Sequence, residues 1–130
     1  MEALYVVAPG PHWLARPWTL LGLIPVGVGM ALHAWASRTF IRAGTTIDPE
    51  GSAAVLVRGG PYARTRNPMY LAGVPILLGA ATLLGTSSPL AIVLGYAVGA
   101  HRWVAREEST LRERFGGEWD SYIGSVRRWL

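Results

Sequence analysis

Two short segments of this 130-residue chain combine helix-end signals with side chains suited to a charged ligand. The first is Arg64-Thr65-Arg66-Asn67-Pro68-Met69-Tyr70. Asn67 suits an N-cap and Pro68 the first helical position, so a helix starting here presents free backbone N–H groups, which attract a carboxylate or phosphate. The second is His101-Arg102-Trp103-Val104-Ala105-Arg106-Glu107-Glu108, with the helix expected to run on through Leu111 to Phe115-Gly116-Gly117. Val104, Glu108, Leu111 and Phe115 recur at helical spacing, which puts the Glu108 carboxylate on an apolar stripe where it needs a partner. Arg102 and Arg106 are like charges one turn apart, an unfavourable pair unless an anion sits nearby. Each segment alone also fits a plainer role: a capped, Arg-flanked membrane helix, and a solvated face on which Glu108 pairs with Arg112. Two charged helix mouths at one membrane face, one attracting anions and the other carrying carboxylates, suit a zwitterionic ligand.

The rest of the chain must bring those segments together. Its residues are 51% hydrophobic and 15% charged, against roughly 25% charged in a soluble domain, so the composition favours a membrane protein and excludes disorder. The length gives one domain, 1–130. No formal charge falls between Arg16 and Arg38, or between Arg66 and Arg102. The second stretch is 35 residues long, roughly 52 Å as one helix against a hydrocarbon slab of about 30 Å, so it must fold back. Gly85-Thr86-Ser87-Ser88-Pro89 is its turn-like cluster, which predicts a hairpin of about Met69–Leu84 and Pro89–Val104. A hairpin returns both arginine blocks, Arg38 to Arg66 and Arg102 to Arg128, to one side, and the positive-inside rule makes that side cytoplasmic. All 12 basic residues are arginines; topology accounts for them, and no basic stripe interleaved with aromatics marks a nucleic-acid partner. With no cysteine and no cluster of metal-ligating side chains, thiol chemistry and a metal centre are not expected.

Further expectations concern the connecting segments. The N-terminal run Leu4 to Ala8 is too short for a signal peptide and reads as interfacial, with Trp13 and Trp18 as belt aromatics. The loop between Arg38 and Arg66 is long enough to be functional, and its apolar patch Ala53 to Val57 is expected against the bilayer. Gly22, Gly27 and Gly29 form a small-residue face for helix packing, and His33 reads as a hydrogen-bonded packing residue. After Gly116-Gly117, the positions Trp119, Tyr122, Ile123, Val126 and Leu130 follow one helical face, an amphipathic helix for the interface or for capping the site.

The motifs together resemble a known family. Gly60-Pro61-Tyr62-Ala63-Arg64-Thr65-Arg66-Asn67-Pro68-Met69-Tyr70, then a membrane hairpin, then Glu107-Glu108-Ser109-Thr110-Leu111-Arg112-Glu113-Arg114-Phe115-Gly116-Gly117-Glu118-Trp119-Asp120-Ser121-Tyr122, is similar to the integral-membrane isoprenylcysteine carboxyl methyltransferases and phospholipid N-methyltransferases. Asn67 stands where the eukaryotic members usually have His, and Trp119 where the pattern often has Tyr. The resemblance covers about residues 38–130. It implies an all-α integral membrane fold of about three transmembrane helices, including the hairpin, with a cytoplasmic amphipathic C-terminal helix. It further implies S-adenosylmethionine-dependent methyl transfer to a lipid or prenylated acceptor, in a cell inner membrane or its equivalent, with the active site facing the cytoplasm. Tyr62, Asn67, Pro68, Met69, Tyr70, Glu107 and Glu108 are then the cofactor-binding residues, and three spans leave room for a homodimer that completes the site.

The chemistry agrees with that implication. Methyl transfer from a sulfonium needs alignment and exclusion of water rather than a protein nucleophile, and none is evident. Arg102 and Arg106 are the candidate catalytic residues, orienting an anionic acceptor. An NADPH-dependent membrane reductase of related helical plan and a small non-catalytic membrane module are the alternatives. The first lacks a visible dinucleotide-binding glycine motif, and the second predicts charges within the spans, where only His33 lies.

Overall fold

A computed structural model of the chain describes residues 14–44, 55–87 and 89–130. Among the described residues four helices carry the fold: α1 (Leu23–Arg42), α2 (Pro68–Leu84), α3 (Leu90–Phe115) and α4 (Gly117–Ser125). Short 3-10 turns at Trp18–Gly22 and Gly60–Ala63 precede α1 and α2. No strand occurs among the described residues. The N-terminal segment with Trp13, and Ala53 and Ala54 of the apolar patch, lie outside them.

Trp18–Arg42 is long and apolar enough to cross a membrane. α2 is apolar but has 17 residues, at the short limit for a span. The 35-residue uncharged stretch does fold back as its composition predicts. Gly85 ends α2 in the left-handed region at φ 70°, a conformation that glycine adopts without Cβ strain, and its N–H closes on Ala81 and Thr82 carbonyls at 3.1 and 3.0 Å. α3 then runs unbroken through its charged half to Phe115, as the Val104–Phe115 spacing requires.

α1 packs chiefly along α2, and small residues set the approach. A Cβ on Gly22 would collide with the Gly79 carbonyl, and one on Gly29 would come within 2.6 Å of the Ala72 carbonyl. Two of the three glycines of the expected face therefore pack as predicted. Gly27 does not, since nothing lies within 4 Å of its Cβ position. His33 is exposed rather than packed.

Two other expectations are corrected by packing. Val57 is buried with Ala36 and Tyr62, and Leu56 packs on the Trp119–Tyr122 cluster, so these two patch residues turn into the protein, while Val55 stays exposed. The C-terminal apolar face does not extend to Leu130. The helix stops at Ser125, Val126 is extended, and Leu130 is 80% exposed. Trp119, Tyr122 and Val126 form a buried cluster with Leu111 and Phe115, which makes α4 a cap on the protein.

Candidate active site

The site is built where three pieces of chain converge: the segment Tyr62–Tyr70, the charged half of α3, and the C-terminal segment Val126–Leu130. The turn Gly60–Ala63 delivers Tyr62 into the core. Its ring lies 4.9 Å from Phe40, and its carbonyl accepts a 2.7 Å hydrogen bond from the buried Tyr122 hydroxyl. Burial pushes both phenols up, Tyr62 well above its ordinary value and Tyr122 to about 12. Both are therefore neutral at physiological pH, and Tyr122 remains a donor that ties α4 to the first motif.

Pro68 opens α2 and lacks an N–H, and Leu71 N–H bonds the Asn67 carbonyl at 2.9 Å. Met69 and Tyr70 are left as the first-turn residues whose N–H groups have no intrahelical acceptor. Asn67 occupies the N-cap position but does not cap with its side chain, contrary to the simplest reading of its type. Its Nδ2 donates instead to the Arg128 carbonyl at 3.0 Å, and its backbone N–H goes to Thr65 Oγ1 at 3.3 Å. The helix end consequently stays open to an anion.

α3 crosses this helix end and supplies two carboxylates in different environments. Tyr70 Oη donates to Glu107 Oε2 at 3.1 Å. Burial holds the Glu107 carboxyl above its ordinary range and the adjacent Glu108 charge adds to this, while the Tyr70 hydrogen bond partly offsets both. No cation pairs with Glu107 among the described residues. Glu108, 9% exposed, has the partner that its place on an apolar stripe demands. Arg128 Nη2 and Nε donate to its Oε2 at 2.7 and 3.0 Å, and Arg66 Nη1 lies 3.4 Å from its Oε1. Arg66 in turn lies over the Trp119 ring, 5.7 Å from its centroid. Arg112 pairs with Asp120 rather than with Glu108. Two polar atoms of this cluster remain buried without a hydrogen bond: Arg66 Nε, and Glu108 Oε1, whose contact is the 3.4 Å ion pair with Arg66 Nη1.

The hairpin is locked at the same level. Tyr96 Oη donates to the Tyr70 carbonyl at 2.8 Å. That contact requires a glycine at position 73, because a Cβ there would collide with the Tyr96 ring.

The phospholipid methyltransferase family model matches residues 18–118, most of the chain and both motifs up to the start of α4. The chain belongs to this family. No curated protein and no solved structure matches it. Relative to other possible roles for four small helices, membership of the phospholipid methyltransferase family makes the convergence of Tyr62–Tyr70 with Glu107 and Glu108 the candidate active site of a membrane methyltransferase.

Among the residues expected from sequence to act there, Tyr62, Asn67, Pro68, Met69, Tyr70, Glu107 and Glu108 are brought together. Arg102 and Arg106 are not. They are exposed on the side of α3 opposite Glu108, as the 100° turn per residue dictates, and neither makes an ion pair among the described residues. Sequence reasoning missed Arg66 and Arg128 as site residues. Arg66 stands in the first motif, but its type and position do not name Glu108 as its partner, and Arg128 lies 20 residues from its partner Glu108. Only the lone carboxylate on the α3 stripe signalled that a cation had to come from elsewhere.

Proposed function

We propose that the chain transfers a methyl group from S-adenosylmethionine to a lipid or lipid-linked acceptor at a membrane surface. The observation that carries this reading is the meeting of an uncapped helix N-terminus with two carboxylates of unlike pairing. The residues fit the donor. Its amino-acid carboxylate matches the N–H groups of Met69 and Tyr70, and its cationic groups match Glu107, which has no cation of its own among the described residues. S-adenosylmethionine supplies a methyl group already activated by its sulfonium.

The chain's own residues have to bind, orient and exclude water. Tyr70 holds the Glu107 carboxylate through its hydroxyl and offers an aromatic face to a cation. Tyr62 and Pro68, both buried, close the inner side of the turn. α4 covers the charged half of α3 and keeps water from the Arg66–Glu108 pair. Arg102 and Arg106 face outward and serve the acceptor side, holding a carboxylate or lipid phosphate at the membrane surface. The fold reading that accompanies this has α1, α2 and the apolar half of α3 as three spans, with the Arg-rich ends and α4 on the cytoplasmic side of an inner membrane or its equivalent. Calorimetry in detergent micelles with S-adenosylmethionine, S-adenosylhomocysteine and NADPH tests the proposal. Binding of the first two is expected. Binding of NADPH alone would establish the reductase alternative, and binding of none would leave a non-catalytic module.

A further inference from the structure

The family match ends at residue 118, yet the chain beyond it reaches back into the site. Past α4 the backbone turns extended and pairs with the segment just before α2. Arg66 N–H donates to the Arg127 carbonyl at 3.0 Å. The Arg128 carbonyl accepts from both Thr65 Oγ1, at 3.2 Å, and Asn67 Nδ2, at 3.0 Å. The guanidinium of the same Arg128 is anchored on Glu108 Oε2.

One residue of the C-terminal segment therefore fixes two things. It claims one oxygen of Glu108, leaving Oε1 to the 3.4 Å ion pair with Arg66. It also holds the Asn67 amide away from the helix that Asn67 precedes. An asparagine at this position ordinarily turns its side-chain oxygen onto the N–H groups of the second or third helical residue. Here those residues are Met69 and Tyr70, whose free N–H groups are the anion-binding element of the site.

We propose that Arg128 is a positioning residue: anchored on Glu108, it keeps Asn67 from capping α2 and so holds the helix N-terminus open for the methyl donor's carboxylate. The proposal rests on the methyltransferase reading for the identity of the ligand, but not for the conformational claim. Without the anchor, the Arg128 carbonyl is held beside Asn67 only by the Thr65 hydroxyl and the adjoining Arg66–Arg127 backbone bond, so in a larger fraction of molecules the Asn67 side chain swings onto Met69 and Tyr70 and the chain fills its own anion site. Occupation of the site by an internal cap reduces apparent donor affinity by the fraction of molecules so closed.

The test uses the full chain in detergent micelles. Arg128→Met keeps the apolar stem and removes the anchor, and Arg128→Lys keeps a cation beside Glu108. In the absence of any ligand, amide hydrogen exchange at Met69 and Tyr70 is expected to slow in Arg128→Met, and to return toward the parent rate when Asn67→Ala is added. The dissociation constant for S-adenosylhomocysteine, read by calorimetry, is expected to rise about five- to tenfold in Arg128→Met, the shift that a cap of ordinary strength produces. Lys should give an intermediate value, and Arg128→Met/Asn67→Ala should recover part of the loss. In turnover, KM for the donor should rise while kcat stays within about twofold. Unchanged exchange at Met69 and Tyr70 in both Arg128 variants overturns the proposal, as does a double variant that binds no better than Arg128→Met. If the parent chain binds neither S-adenosylmethionine nor S-adenosylhomocysteine, the methyltransferase reading fails while the exchange measurement still decides the role of Arg128.

Discussion

Replacing Glu108 by Gln preserves the shape at the centre of the Arg66–Glu108–Arg128 cluster and removes its only negative charge. The carboxylate lies 2.7 Å from Arg128 Nη2 and 3.4 Å from Arg66 Nη1, which at an effective dielectric of about 20 corresponds to roughly 5–6 kcal/mol of gross attraction for each pair. Desolvation of the three ions takes back several kcal/mol per ion, so the intact cluster is close to neutral for stability. Removing the central charge is different, because it leaves two guanidinium groups facing one another with no counter-charge. The Arg66 side chain is 13% exposed and cannot recover its hydration, whereas Arg128 at 34% partly can. The cost is therefore placed near 3 kcal/mol, the lower end of the range of about 3–5 for orphaning a buried charge. For a chain of this length that is a fall in Tm on the order of 10 °C. Thermal unfolding in detergent, followed by tryptophan fluorescence, measures it. A paired substitution sharpens the argument: Glu108→Leu with Arg66→Met is expected to be less destabilised than Glu108→Leu alone. A Tm for Glu108→Gln within about 3 °C of the parent would refute the cluster as a buried electrostatic unit.

Other outcomes follow from the same geometry. Tyr122→Phe leaves the buried Tyr62 carbonyl without its donor and should cost about 1–2 kcal/mol by the same thermal assay. Because the Tyr122 phenol is raised to about 12, the stability it contributes is complete below the ordinary phenol range and is lost as pH climbs through that raised value, a decline that Tyr122→Phe should lessen. Glu107 has a raised carboxyl, held up chiefly by burial, without a cation partner among the described residues, so its neutral form is favoured by the fold, and stability should fall as pH rises through the raised value. Glu107→Gln is expected to be as stable as the parent or more so at pH 8, while S-adenosylmethionine binding weakens by about 1.5–3 kcal/mol; tighter or unchanged binding would remove Glu107 from the site. Single cysteines placed in the cysteine-free chain at Ser52, Ser87 and Ser125 test membrane orientation in intact cells. A membrane-impermeant thiol reagent should label position 87 only, and labelling at 125 but not at 52 would put the two motifs on opposite sides.

The sequence alone determined the elements of this protein, because each is written in local physics. An uncharged run too long for one crossing, interrupted by Gly85 and Pro89, can only make a hairpin. The spacing of Val104, Glu108, Leu111 and Phe115 can only be a helix carrying a carboxylate on its buried face. The ordered motifs around that hairpin were sufficient to show the family. What tertiary structure decided were the partners across long separations. Asn67 has the residue type of a helix cap, and only the arrival of the Arg128 carbonyl diverts its side chain and leaves α2 open. The α4 apolar pattern reads as continuing to Leu130, yet pairing of the tail with Thr65–Asn67 pulls the chain out of helix at Val126. Helical periodicity already turns Arg102 and Arg106 away from Glu108, but it fixes the face of a side chain without naming the segment that comes to cover it. That Arg66 and Arg128 are the cations meeting Glu108 depends on how the tail beyond α4 folds back beside Thr65–Asn67.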